Sequence, residues 1–178
     1  GSWGETPLVS CWAKIANQNA ATNGAGTVWW KRATSGTASK TITVTLCTNS
    51  ASGCVTPYSG VSDGTTPYGT AVGEANASAN ETQAGITVNR ANSFVCFSVH
   101  CTSNDTLNPN TYTATDPTSL TERAEGVSSG GSDCSASHAS AARTSTGATG
   151  AISWLQTDGT SASIAFELLV KYAPLTAD

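Results

Sequence analysis

The sequence predicts an all-β protein, an antiparallel β-sandwich of the jelly-roll or immunoglobulin-like kind with about ten strands. Short strand-like runs recur along the chain, turn dipeptides such as Asn23-Gly24 and Asp63-Gly64 fall between them, and no strand–helix rhythm is visible. Thr, Ser, Ala, Gly and Asn make up 105 of the 178 residues, yet 38% of the residues are hydrophobic. Small polar residues therefore take the place of charged residues, while the hydrophobic residues needed for a core are retained. This composition favours a β-rich chain with many turns.

Alternation and β-branched or aromatic residues define the strand-like runs. The clearest is 41–46, where Ile42, Val44 and Leu46 share one face. In 164–172 hydrophobic residues also alternate, but Leu169 breaks the polar face, so we expect this strand to be partly covered on both sides. Only 73–84 could form a short helix, and its Asn, Ser and Gly content argues against one. The other runs are 27–32, 53–58, 85–88, 93–101, 120–124, 135–142 and 148–155.

An internal echo predicts two similar halves within one sandwich. Residues 13–16 are followed by Arg32 and a Thr-Ser-Gly turn, and residues 121–124 by Arg143 and a similar turn. Each half reads as strand, polar hairpin, strand ending in Arg, turn and strand, with a chance match as the alternative. The strand at 93–101 precedes the second unit, and its counterpart in the first would lie before residue 1. We therefore hypothesise an open strand position, filled by a neighbouring subunit, by removed sequence or by residues 1–9.

The low charge argues against two classes of partner. Charged residues make up 11% of the chain, the formal net charge is −4 and the isoelectric point is about 5.0, so no basic surface is expected for nucleic acid. No membrane span is expected, since the nearest candidate, 163–172, contains Glu167 and Lys171. We expect one domain over 1–178, with an N-terminal arm at 1–11 and a C-terminal tail at 173–178.

Six cysteines without clustered metal spacing predict disulfides and an oxidising compartment. Cys47 and Cys54 are the first expected pair, because they flank a short polar connection between two strand-like runs, where facing positions are close enough to bridge. The pairing of the others stays open, with intermolecular bridges and free buried thiols as alternatives; they are Cys11, Cys96, Cys101 and Cys134. The two histidines stand alone, so no zinc site is expected, and no other metal or cofactor is indicated.

Two arrangements could suggest catalysis, and neither is well supported. Residues 126–130 match the G-x-S-x-G pattern, but a nucleophile elbow needs a buried strand before it and a helix after it, and this run is polar. His138 with Asp133 and neighbouring serines could suggest a triad, but a partly exposed strand histidine is the expected outcome. The sequence therefore predicts a protein that is not an enzyme.

The tryptophans are the feature most suggestive of binding. Trp29 and Trp30 are adjacent, so in a strand they point to opposite faces and cannot both lie in the core of a one-sided sheet. One of them, exposed beside Tyr58 or Tyr68, would form a sugar-binding platform, whereas burial in a subunit contact is the favoured alternative. Trp154 is in phase with Ile152 and is expected in the core.

The sequence reads VWWKRATSG at 28–36, YSGVSDGTTPY at 58–68, LTERA at 120–124 and AARTSTGA at 141–148. Together these stretches resemble a loosely defined group of β-sandwich proteins found in tailed-phage virions and among bacterial secreted proteins. The resemblance implies a virion-surface or extracellular module with no catalytic residues to carry over. The cysteines are unusual for that group, which suggests covalent reinforcement of an exposed assembly.

The expected function is therefore that of a non-enzymatic structural subunit. It would belong to a virion, as a capsid-decoration, tail or fibre component, or to an extracellular filament. Its partners would be copies of itself and other virion or filament proteins, held by strand-edge contacts, aromatic contacts and disulfides. The alternative is a carbohydrate-binding module or adhesin that recognises surface glycans.

Overall fold

The computed structural model describes residues 12–20, 24–34, 51–76, 81–102, 112–128, 134–155 and 160–171. Within these residues the chain forms eleven β-strands in antiparallel pairs and no helix. This confirms the predicted all-β, sandwich-like class. The strands are β1 (Ala13–Ala20), β2 (Gly24–Trp30), β3 (Tyr68–Asn76), β4 (Glu81–Gln83), β5 (Thr87–Val88), β6 (Ser93–Cys101), β7 (Thr121–Ser128), β8 (Cys134–Arg143), β9 (Gly147–Ala148), β10 (Ile152–Trp154) and β11 (Ser161–Leu168).

Five strands form a central sheet in the order β3-β11-β6-β8-β7. Successive side chains alternate between the two faces of a sheet. Along β6, Val95 and Phe97 point to the face that we call the front, and Cys96 and Ser98 to the face that we call the back. Strand β11 lies between β3 and β6 and is buried at all eight of its positions. Both of its sides are therefore covered, as its sequence predicts.

The front face carries the larger hydrophobic cluster. Phe97 lies at its centre, with ring centroids 5.0 Å from Trp154 and 5.7 Å from Tyr112. Trp154 and Ile152 of β10 are both buried there, which confirms their expected place in the core. The short strands cover this face as two small sheets, β4 with β10 and β5 with β9.

The back face is covered by two separate elements. The β1–β2 hairpin packs Ile15 and Val28 against the cluster that contains Ile164 and Phe166. Beside it lies an extended segment, residues 51–58, which we call the back ribbon and which ends at Tyr58 in the same cluster. The described residues therefore form three layers, with the central sheet in the middle.

The echoed stretches fold as two similar antiparallel hairpins, β1–β2 and β7–β8. Each hairpin has an irregularity of register in its first strand, between Lys14 and Ala16 in β1 and between Glu122 and Ala124 in β7. These pairs occupy the same positions in the two echoed tetrapeptides, so the similarity extends to backbone geometry. The settings differ, because β7 and β8 belong to the central sheet whereas β1 and β2 form a sheet of their own.

An arginine at or just after the end of each hairpin holds a turn in place. Arg32 Nη2 donates to two carbonyl oxygens of the 62–64 turn, at 2.9 and 3.0 Å. Arg143 Nη1 donates to the carbonyl oxygen of Gly147 and its Nη2 to that of Ala148, both at 3.0 Å. Both arginines thus donate to two carbonyl oxygens of a turn, but Arg143 holds the turn that directly follows it, whereas Arg32 holds a turn 30 residues further along the chain.

Three of the strand expectations need correction. The run at 53–58 is extended but joins no β-ladder. The run at 148–155 divides into β9 and β10, because Gly150 adopts a φ of 70° between them. Strand β3 has no counterpart among the predicted runs; its Gly69 is required because a Cβ there would overlap the carboxylate of Glu167.

Several expectations concern residues outside the described part of the chain. These are the N-terminal arm at 1–11, the strand at 41–46 and the C-terminal tail at 173–178. The proposed open strand position, which residues 1–9 could fill, depends on the first of these segments and stays a hypothesis.

Candidate functional site

A chain of three polar side chains crosses the back face and joins the back ribbon to the central sheet. Strands β6 and β8 place Ser98 directly opposite His138. The Ser98 hydroxyl lies 2.8 Å from His138 Nδ1, and the Tyr58 hydroxyl lies 2.8 Å from His138 Nε2. Both imidazole nitrogens therefore have a hydroxyl partner, one of which accepts from the ring and the other donates to it.

The side chains around Tyr58, His138 and Ser98 are largely apolar. His138 is only 8% exposed, and its ring lies 6.1 Å from that of Phe166. The ring of Tyr58 lies 5.8 Å from that of Phe94 and meets His138 edge to face at 5.9 Å. The Cys96 thiol donates to the Tyr58 hydroxyl at 3.8 Å. The hydrogen bonds are thus partly shielded from water, which strengthens them.

Burial keeps each titratable group of the site in its neutral form near pH 7. Desolvation, assisted by the Arg123 guanidinium, lowers the pKa of His138 to about 4. Desolvation also raises the pKa of Cys96 to about 12 and that of Tyr58 above its ordinary range. A histidine with so low a pKa is a weak base, which makes it poorly suited to activating Ser98 as a nucleophile. The arrangement is well suited to fastening the ribbon to the sheet.

Arg123 extends the site to the edge of the central sheet. Its Nε donates to the Ser140 hydroxyl at 3.0 Å and its Nη2 to the Ser140 carbonyl oxygen at 3.4 Å. Ser140 in turn hydrogen-bonds to the Tyr58 hydroxyl. Arg123 lies at the irregularity in β7, between Glu122 and Ala124. The irregularity lets the edge strand direct this guanidinium back across β8.

The prediction that His138 lies in a strand is confirmed, but the prediction that it is partly exposed is wrong. It was expected to be partly exposed, whereas Tyr58 covers it from the back ribbon. Asp133, its suggested partner, lies outside the described residues. Ser128 of the G-x-S-x-G match lies within β7 and opposite Cys134, not at a turn between a strand and a helix.

The expected disulfide between Cys47 and Cys54 is not formed, because Cys54 is a free thiol. The back ribbon runs extended across the central sheet, where Gly53 lies against Gly126, and its residues 53–58 join no β-ladder, so they do not pair as a strand of the predicted hairpin. Burial, followed by the carboxylates of β7, raises the pKa of Cys54. Cys47 itself lies outside the described residues.

The other described cysteines are also thiols rather than disulfides, so covalent reinforcement has no support in this part of the chain. Cys96 and Cys101 are five residues apart in β6 and therefore point to opposite faces, which prevents them from bridging each other. Cys134 begins the neighbouring strand and is buried as well. Cys11 lies outside the described residues.

The four aromatic candidates do not form one exposed strip, since all four are half-buried. In β2, Val28 packs against the back face, so alternation places Trp30 on the inner side of the hairpin and Trp29 on the outer side. The Lys14 ammonium lies 6.0 Å from the centre of the Trp29 ring. Tyr68 donates to the Lys14 carbonyl oxygen at 3.4 Å, and Tyr58 belongs to the polar chain.

A second buried polar site fastens the front layer. The Glu167 carboxylate is fully buried and accepts the backbone N–H groups of Asn89 at 3.2 Å and Arg90 at 2.9 Å. It thereby holds the turn between β5 and β6 against β11. On the same face, the Tyr112 hydroxyl donates to Ser137 Oγ at 2.8 Å. These groups, like those of the back face, bond within the fold.

No group of three or more metal-ligating side chains is found in the described part of the chain. The described residues contain no helix, and therefore no helix that is long and apolar enough to cross a membrane. Comparisons with protein-family models, with curated proteins and with solved structures found no match to this chain.

Proposed function

We propose that this chain is a non-enzymatic structural subunit of a virion, as a capsid-decoration, tail or fibre component, or of another extracellular assembly. The observation that carries the proposal is the use of the buried polar side chains. His138 holds the back ribbon, Glu167 holds the turn between β5 and β6, and Arg143 holds the turn between β8 and β9. Such internal ties give a fixed shape, which is what repeated copies in an assembly need.

The surface chemistry supports the same proposal. Only 20 of the 178 residues carry a formal charge, and the net charge is −4. Most exposed strand positions carry small side chains, such as Thr121 of β7 and Ala142 of β8, although Lys14 and Arg123 are exceptions. Identical surfaces of this kind pack against one another without accumulating like charge. The resemblance of four stretches to virion and secreted β-sandwich proteins favours the same function.

One observation favours the second candidate, a carbohydrate-binding module or adhesin. Trp29 lies on the outer side of the β1–β2 hairpin, where a sugar ring could stack on it. Tyr58 and Tyr68 point inward and would not extend that platform. A glycan array probed with the full chain and with its Trp29→Ala variant separates the two functions. Glycan binding that is lost in the variant would support the adhesin.

Electron microscopy of the purified full chain over a range of concentrations tests the structural function. We expect rings, lattices or fibres with a regular repeat. We also expect this protein to be a component of virions or filaments purified from the organism that produces it. Light scattering after size-exclusion chromatography would measure the copy number. A monodisperse monomer at the highest soluble concentration, with no regular particles on the grid, would contradict the proposal.

A further inference from the structure

The back ribbon has an inverted distribution of polar and apolar side chains. Its outward positions carry apolar or small residues, whereas its inward, half-buried positions carry polar or weakly polar ones. The outward residues are Ala51, Gly53, Val55 and Pro57, and the inward residues are Ser52, Cys54, Thr56 and Tyr58. Val55 is 64% exposed, the largest value for a large hydrophobic side chain in the described part of the protein. The outer face of the ribbon is therefore apolar and uncharged, so another surface could pack against it without desolvating a charge.

The ribbon is held firmly although it joins no sheet. Tyr58 bonds to His138 at one end, and the Gly53 backbone lies against Gly126 nearer the other. Just beyond it, the Lys171 amide donates to the Gly60 carbonyl oxygen at 2.7 Å. Residues 51–60 nevertheless take part in no β-ladder. A fixed, extended backbone without ladder partners is a template for another extended strand.

Charge and shape restrict what that strand can be. Residues 51–62 contain no charged side chain, so a partner gains nothing from charge and loses least when it is neutral as well. A partner must also be extended, because only an extended backbone can satisfy a row of N–H and C=O groups. The same ribbon in a second copy of this chain meets both conditions.

We propose that the back ribbon is a contact between two copies of this chain, paired antiparallel across a two-fold axis at Val55. The inference rests on the proposed function, since it names the surface through which the subunits associate. A two-fold contact uses the same patch on both copies, so Val55 of one copy packs against Val55 of the other.

The position of Pro57 sets the register of this pairing. In an extended strand the N–H groups of Ser52, Cys54 and Thr56 point to one edge, and those of the odd-numbered residues to the other. Pro57 has no N–H group and would interrupt a ladder only on the odd edge. An axis at Val55 pairs Cys54 with Thr56 by hydrogen bonds, and it places Pro57 at a position that needs no donor.

Two variants of the full chain test the contact by sedimentation equilibrium. Val55→Lys brings two ammonium groups together at the axis and is expected to weaken self-association at least about tenfold. Val127→Lys is the matched control, since Val127 is 50% exposed and pairs with the front-facing Ser135 of β8; it is expected to associate like the unmodified chain. Circular dichroism and thermal melting check that both variants fold.

A cross-linking variant tests the register directly. Val55→Cys in a Cys54→Ser background places two thiols at a non-hydrogen-bonded pair, where the spacing fits a disulfide. Mild oxidation should give a covalent dimer, and the Cys54→Ser protein without the new cysteine should give much less of it.

The results distinguish this contact from the proposed function. The ribbon contact is overturned if Val55→Lys associates as tightly as the unmodified chain, or if the new cysteine adds no dimer. Regular assemblies in the microscope would then leave the structural function standing, with another surface as the contact. A chain that never associates would overturn both.

Discussion

The backbone of Gly53 lies so close to Gly126 that a Cβ atom added at Gly126 would overlap the Gly53 carbonyl oxygen. The back ribbon crosses the edge strand β7 at this point, and the contact requires the absence of a side chain. The relationship is one-sided, because a Cβ added at Gly53 would meet no atom within 4 Å. The two glycines therefore make a matched pair for substitution.

Gly126→Ala is expected to lift the ribbon from β7 and to lower the free energy of unfolding by about 1–3 kcal/mol, as overpacking does. Gly53→Ala is the control and should change it by no more than about 0.5–1 kcal/mol, since its methyl group projects into open space. Urea denaturation of both variants gives the two values. Equal losses would show that the crossing is not as tight as described.

Stability should fall in mild acid because of His138. Its pKa in the folded protein is about 4, below the ordinary 6.5, so the unfolded chain binds the proton more readily between these values. The contribution of this group is therefore complete above pH 6.5 and is lost as the pH falls towards 4. The full loss is about 3 kcal/mol.

The pH dependence is measured as a difference between proteins, because carboxylates also titrate in this range. Denaturation of the unmodified chain and of His138→Gln at pH 7 and at about pH 4.5 gives the contribution of the imidazole. His100, whose pKa is also lowered by burial, contributes in the same direction in both proteins. Parallel pH profiles for the two proteins would refute the assignment.

Removing the hydroxyl of Tyr58 should cost stability, because it leaves His138 Nε2 buried without its partner at 2.8 Å. Tyr58→Phe is expected to lower the free energy of unfolding by about 1–3 kcal/mol. Tyr68→Phe is the control, since its hydroxyl makes a longer bond of 3.4 Å to the Lys14 carbonyl oxygen and should cost under about 0.5 kcal/mol. Thermal melting of the two variants ranks the losses, and a reversed ranking would contradict the role given to the polar chain.

The two turn-holding arginines should differ in their contributions. The Arg143 side chain is 4% exposed and also pairs with Asp116 at 3.1 Å, whereas that of Arg32 is 44% exposed. We expect Arg143→Lys to cost about 2–4 kcal/mol, because a buried guanidinium with several acceptors is replaced by a group of different shape. Arg32→Lys should cost under about 1 kcal/mol. Chemical denaturation measures both, and similar costs would count against the burial argument.

The sequence was most informative where a strand has a regular pattern of burial. Strand β6 has the predicted bounds of 93–101 and β8 lies close to its predicted position, whereas β11 overlaps the predicted run of 164–172 but begins three residues earlier and ends at Leu168. Strand β3 was missed because its side chains are small and half-buried, and its register is set by β11 and not by its own pattern. The local alternation of polar and apolar residues does not indicate which distant strand a segment will pair with.

The candidate site was less predictable, since its members come from distant parts of the chain. The register between β6 and β8 brings Ser98 to His138, and Tyr58 reaches His138 from eighty positions earlier in the sequence. The expected Cys47–Cys54 bridge was wrong for a related reason. A short polar connection between two strand-like runs suggests a hairpin, but residues 53–58 join no β-ladder, and Gly53 packs against β7, a strand that lies far away in the sequence.

The burial of β11 on both faces also bears on the order in which the sheet can form. β3 joins the central sheet only through β11, although β3 lies some ninety positions earlier in the chain. During synthesis, β3 and β6 leave the ribosome long before the strand that must lie between them. Closure of the sheet thus waits for long-range pairing by the last described strand, which is a slow kind of step. Until then β6 has one unpaired edge, and a nascent chain of this protein is open to strand exchange with its neighbours.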